Sequence, residues 1–83
     1  MNVTIKLVAM NGLLPTGFDE WGVASVSLPE GITVSEAVDN YTEAKGSGYL
    51  VLLNGSPLPP EERVTHLLTE GDELNIFPPI HGG

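Results

Sequence analysis

Polar and apolar positions alternate from the start of the chain. In "MNVTIKLVAM", Val3, Ile5, Leu7 and Ala9 share one face and Asn2, Thr4 and Lys6 the other, which predicts a strand. "NGLLPTGFDEWG" is rich in Gly and Pro and reads as a long loop. Its Leu13, Leu14, Phe18 and Trp21 are expected to pack down in part. "VASVSLPEG" predicts a second strand with Ala24, Val26 and Leu28 inward, closed by Pro29 and Gly31. The period then changes. Val34, Ala37, Val38 and Tyr41 recur as the stripe of an amphipathic helix, expected from Val34 to Lys45. Thr33 and Glu36 have the spacing of a capping box. Lys45 would complement the dipole in the last turn, and Gly46 would supply a left-handed stop.

The second half predicts strands again. "YLVLL" is a continuous apolar run, suited to a strand buried on both sides. Asn54-Gly55 is a tight-turn signal. The proline-rich "SPLPPEERVTHLL" predicts a short edge strand near Leu58 and a helical turn from Val64 to Leu68. "TEGD" turns the chain. "ELNIF" is the last strand, with Leu74 and Ile76 on one side and Phe77 on the other. The order β-β-α-β-(β)-β gives an α+β class, one main helix on one face of a mixed four- to five-stranded sheet. With the first and last strands parallel and central, that is a β-grasp. Residues 1–77 are expected to form this domain and residues 78–83 a flexible tail ending in Gly82-Gly83.

Length and charge narrow the functions. A chain of 83 residues, 41% apolar, supports one domain with a modest core. Without Cys it has no disulfide framework or thiolate metal site. His66 and His81 remain as transition-metal ligands, but two histidines in an acidic chain read as surface residues, and no metal site is assigned. The net charge is −8, and Lys6, Lys45 and Arg63 are the only basic residues. This disfavours nucleic acid and anionic membrane surfaces as partners. It suits solubility, or a partner with a basic docking surface. The first ten residues are too short and too alternating for a signal peptide, and no apolar run approaches a membrane span, so a cytoplasmic protein is expected.

The segment "VLLNGSPLPPEERVTHLLTEGDELNIFPPIHGG" resembles the ThiS/MoaD family of ubiquitin-like sulfur carriers. The likeness rests on "LNG" at Leu53 to Gly55, on "L..GDEL.IFPPI" from Leu68 to Ile80, and on Gly82-Gly83. The "FPPI.GG" ending is more similar to the molybdopterin synthase small subunit (MoaD) than to the thiamine-pathway carriers. The resemblance implies activation at the terminal glycine. A MoeB/ThiF-like, ubiquitin-activating-type adenylyltransferase uses ATP to form an acyl adenylate, and sulfur transfer then gives a thiocarboxylate. This chain would bind no cofactor itself, and its acceptor would be an enzyme such as the molybdopterin synthase large subunit.

The residue types fit such chemistry. A C-terminal carboxylate has a pKa of ~3.3, so Gly83 would be an ionised nucleophile at neutral pH without a general base. Gly82 and Gly83 put no Cβ beside the reacting carbonyl. Pro78 and Pro79 stiffen the exit. Pro78, Pro79, Ile80, His81, Gly82 and Gly83, fully extended, would reach ~20 Å, enough to enter a partner's active site. Phe77, off the helix side and beside this tail, is the candidate docking residue. "GDE" at Gly71 to Glu73 reads as a turn rather than a cation site, and Lys6 and Lys45 as solvated side chains rather than isopeptide acceptors. No catalytic triad, phosphate-binding glycine loop or pair of catalytic acids can be placed, so the chain reads as a carrier and not an enzyme. The alternatives are a ubiquitin-like modifier joined through Gly83 to target lysines, a thiamine-type or other-pathway carrier, and a plain β-grasp interaction module.

Overall fold

The computed structural model describes residues 1–8, 17–42 and 48–78. Among these residues five strands form one sheet: β1 (Asn2–Leu7), β2 (Val23–Ser27), β3 (Leu50–Leu53), β4 (Ser56–Pro57) and β5 (Glu73–Phe77). Among the described residues two helices accompany them, α1 (Val34–Tyr41) and the single-turn α2 (Pro60–Arg63). The strand order is β2-β1-β5-β3-β4, with β1 and β5 parallel and the other pairs antiparallel. The first and last strands are therefore adjacent, with β5 at the centre. This is the β-grasp fold.

Alternation along each strand places the core. Val3, Ile5, Val51, Leu74 and Ile76 are fully buried on the sheet's inner face, where Val34, Ala37 and Val38 of α1 meet them. Truncating one of the larger of these side chains to Ala would cost ~2–5 kcal/mol. Leu28, Ile32 and Leu68 close the core from the loops. Phe18 packs edge-on against Tyr41, ring centroids 5.7 Å apart, and so covers the end of α1. Trp21, also expected to pack down in part, is 78% exposed, while Leu13 and Leu14 lie outside the described residues.

The capping box forms. Glu36 N donates to Thr33 Oγ1 at 3.2 Å, and Thr33 N donates to Glu36 Oε1 at 3.1 Å. The helix ends earlier than its periodicity predicts. Thr42 is extended at φ −129°, and its hydroxyl donates to the Val38 carbonyl at 3.0 Å, a side-chain bond at a terminus the backbone leaves open. No basic residue stands in the last turn, and Lys45 and Gly46 lie outside the described residues.

Two further expectations are corrected. The helical turn lies at Pro60–Arg63, where Pro60 presets φ for a first turn, and not at Val64–Leu68. Leu67 instead bridges Thr33, with Val34 N donating to His66 O at 2.9 Å and Leu68 N to Ile32 O at 3.0 Å. These bonds hold the start of α1 to the later loop. Strand β3 is not buried on both sides, since one helix covers one face only. Val51 is fully buried and Leu53 packs on the core, but Leu50 is 52% exposed on the outer face.

Candidate functional site

Strand β5 carries the candidate site because it runs into the C-terminal segment. Leu74 and Ile76 anchor it from inside at full burial, so Glu73, Asn75 and Phe77 face outward. Phe77 is half-buried and pairs across the ladder with Leu50. Leu52 follows on the same outer face, opposite Asn75 and Pro57. Val8, one residue past β1, donates its N–H to Ile76 O at 3.2 Å and is 49% exposed. Val8, Leu50, Leu52 and Phe77 thus form an apolar outer surface at the end where β5 stops. Pro78, which has no N–H to extend the ladder, follows Phe77 there.

The expected outward side of Phe77 is therefore seen, and the described part of the first loop takes Phe18 to the core side instead. Of the six tail residues, Pro78 is described and half-buried; Pro79, Ile80, His81, Gly82 and Gly83 lie outside the described residues. The apolar run "YLVLL" carried a signal that burial on both sides had concealed. Its outward leucines, Leu50 and Leu52, extend the surface around Phe77.

Polar groups fix the opposite end of β5. Asn54 and Gly55 have φ of 51° and 87°, the left-handed pair that a two-residue hairpin turn requires. Asn54 Nδ2 donates to Asp72 Oδ1 at 3.0 Å, and Glu73 N donates to Asn54 Oδ1 at 2.9 Å. Asp72 Oδ2 accepts from Thr69 N at 2.8 Å and from the Thr69 hydroxyl at 3.1 Å. Burial pushes the Asp72 carboxyl up, but these hydrogen bonds outweigh it and hold the group below its ordinary value. Glu73 is also held low, first by its hydrogen bond from Lys6 and then by the Lys6 charge; the pair stands 3.1 Å apart. Asp72 and Glu73 so serve different partners, and among the described residues no cluster of three His, Cys, Asp or Glu side chains could hold a metal. Lys6 is engaged on the outer face, and His66 is an exposed residue whose carbonyl supports α1.

Arg63 has a role that sequence reasoning missed. It is 5% exposed, and its Nε and Nη2 donate to Leu58 O at 2.7 Å and Tyr49 O at 2.9 Å. Burial draws its pKa down and Glu61 pushes it up. The guanidinium stays charged and ties the entrance of β3 to the loop before α2.

Residues 18–83 match the ThiS family. The chain belongs to the ThiS family. Its fold is that of the family's ubiquitin-like sulfur carriers and modifiers. SAMP1 from Haloferax volcanii superposes with a TM-score of 0.61 at 21% identity, covering 100% of both chains. The solution structure of Urm1 from Trypanosoma brucei gives a TM-score of 0.65 at 19% identity, covering 99% of this chain and 95% of that one. A second structure, H. volcanii small archaeal modifier protein 1, gives 0.61 at 20% identity over 95% and 98%. No curated protein matches the chain in sequence. Like these neighbours, this ThiS-family chain is a β-grasp, and among its described residues no helix is long and apolar enough to cross a membrane.

Proposed function

We propose that this chain is a sulfur-carrier protein whose Gly83 carboxylate is adenylated by an E1-like adenylyltransferase and then converted to a thiocarboxylate. The observation that carries this reading is the ThiS-family match, which runs through residue 83 and so includes "FPPIHGG". The carboxylate oxygen attacks the α-phosphate of ATP and pyrophosphate leaves. A sulfide nucleophile then attacks the acyl carbon and AMP leaves. Both steps belong to the partner's active site. This chain supplies the carboxylate, an unbranched approach to it and a docking surface, and acts as a carrier rather than a catalyst. The outer-face group around Phe77 is the apolar part of that surface, and the charge of −8 favours a basic partner. The "FPPI.GG" ending supports molybdopterin synthesis as the pathway, with the synthase large subunit as sulfur acceptor. We place the protein in the cytoplasm, where the activating partner would meet ATP.

A second reading is a protein modifier joined through Gly83 to lysines. The resemblance in fold to the small archaeal modifier protein of H. volcanii favours it. Intact-mass analysis of the protein from its own host separates the two. Replacement of one C-terminal oxygen by sulfur supports the carrier. Isopeptide-linked species with no thiocarboxylate support the modifier. Unmodified chain alone, from cells making the activating enzyme, contradicts both.

A further inference from the structure

Trp21 is the chain's one tryptophan, and at 78% exposed it leaves most of a large apolar side chain in water. The turn that carries it is nevertheless closely fixed. Asp19 Oδ1 accepts from Trp21 N and from Val23 N, each at 2.9 Å. Gly22 N donates to Asp19 O at 3.0 Å, and Asp19 N donates to Val23 O at 2.9 Å. Gly22 takes φ of 79°, which turns the chain into β2. The backbone beneath the indole is set before any partner arrives, so docking the ring costs little ordering entropy.

The topology says what meets it. Gly22 O accepts from Leu7 N at 2.7 Å, which seats the turn on the end of β1. Strands β1 and β5 are parallel, so that end is also the end at which Phe77 gives way to Pro78. Trp21 therefore stands about two strands across from Phe77, roughly 10 Å at ~4.8 Å per strand. A protein that takes up the residues after Pro78 comes against this same end. Asp19 and Glu20 precede the indole directly, in a chain already at −8.

We infer that Trp21 is a second docking anchor for the adenylyltransferase, its indole entering an apolar pocket whose rim carries cationic side chains opposite Asp19 and Glu20. This rests on the proposed activation at Gly83. Anchors of this type combine a desolvated aromatic with a charged periphery. Two anchors, Phe77 and Trp21, would fix the orientation of the sheet end as well as its position. A single one would leave it free to rotate.

The test uses the full chain and the adenylyltransferase of the same organism. ATP–pyrophosphate exchange is followed against carrier concentration for wild type, Trp21→Ala and Trp21→Phe. Trp21→Ala raises KM about tenfold or more with the maximal rate retained, and Trp21→Phe recovers part of the loss. A chain labelled with fluorotryptophan reports its single indole directly, and its fluorine resonance shifts when unlabelled enzyme is added. This second readout needs no variant, so it decides the matter even if Trp21→Ala melts early. Unchanged KM in folded Trp21→Ala, or a resonance unmoved at saturating enzyme, overturns the anchor and leaves the carrier reading standing. Wild type that supports no exchange overturns both together.

Discussion

Arg63 offers the sharpest test of the packing, because the chain provides an internal control. Its guanidinium is buried and, among the described residues, donates to the backbone carbonyls of Leu58 and Tyr49. Lys6 carries the same charge on the outer face and pairs with Glu73, both side chains partly exposed. Arg63→Met keeps most of the apolar stem and removes the donors. Hydrogen bonds from a charged donor are worth ~1.5–3 kcal/mol each, and a buried carbonyl left without a partner costs ~1–3 kcal/mol. Relief of the guanidinium's desolvation returns part of this. The net expectation is a loss of about 2–4 kcal/mol. At ~4–8 °C per kcal/mol for a domain of this size, the melting temperature should fall by roughly 10–25 °C. Arg63→Lys should recover only part of the loss, since a compact ammonium cannot span both carbonyls as the planar fork does. Lys6→Met should cost less than ~1 kcal/mol, as for other exposed pairs. Urea denaturation followed by far-UV circular dichroism gives all four stabilities. If Arg63→Met lies within ~0.5 kcal/mol of wild type, the fork between Leu58 and Tyr49 is not what holds β3 to the α2 loop.

Three further outcomes follow from the same structure. Asp72 has its pKa lowered by folding, so its contribution is complete above the ordinary carboxylate range and is lost as pH falls through the lower, folded value; Asp72→Ala should cost about 1 kcal/mol near neutrality and flatten the acid limb of a stability profile. Phe77→Asp should weaken the adenylyltransferase complex about tenfold or more by calorimetry while the fold persists; unfolding would assign Phe77 to the core, and unchanged affinity would remove it from the docking surface. The melting temperature should be unchanged by EDTA, and a large fall would send attention to His66 and His81.

What was legible in the sequence was what local pattern determines. The Thr33–Glu36 box, the turn at Asn54-Gly55 and the alternation of "ELNIF" each depend on a few neighbouring residues, and each appears as read. The parallel β1–β5 pairing entered the sequence reading only as the condition that makes this element order a β-grasp, and the structure meets that condition. Misreadings came where tertiary context overrides a local signal. "YLVLL" looked doubly buried because an apolar outer face and an apolar core face give the same run of letters. Val64 to Leu68 looked helical because its apolar residues ignore the demand of Thr33 and Val34 for an extended partner. Trp21 stood among the apolar residues of a loop expected to pack down in part; Phe18 does so, while Trp21 is exposed on a turn built around Asp19. Arg63 gave no signal at all. Among the described residues its acceptors include the backbone carbonyls of residues 49 and 58, which no side-chain pattern announces.

The central claim is that the function runs through the Gly83 carboxylate, and deletion of Gly83 tests it most directly. The residue has no side chain to give to a core, so stability should change by less than ~0.5 kcal/mol. The shortened chain offers the Gly82 carboxylate about 3.5 Å short of its place, and displacement on that scale removes orders of magnitude in rate. ATP–pyrophosphate exchange with the cognate adenylyltransferase should therefore fall at least a hundredfold, with Gly82→Ala between the deletion and wild type. If the deletion supports exchange as well as wild type does, the carrier and the modifier readings fall together, and what stands is a β-grasp interaction module with an inert tail.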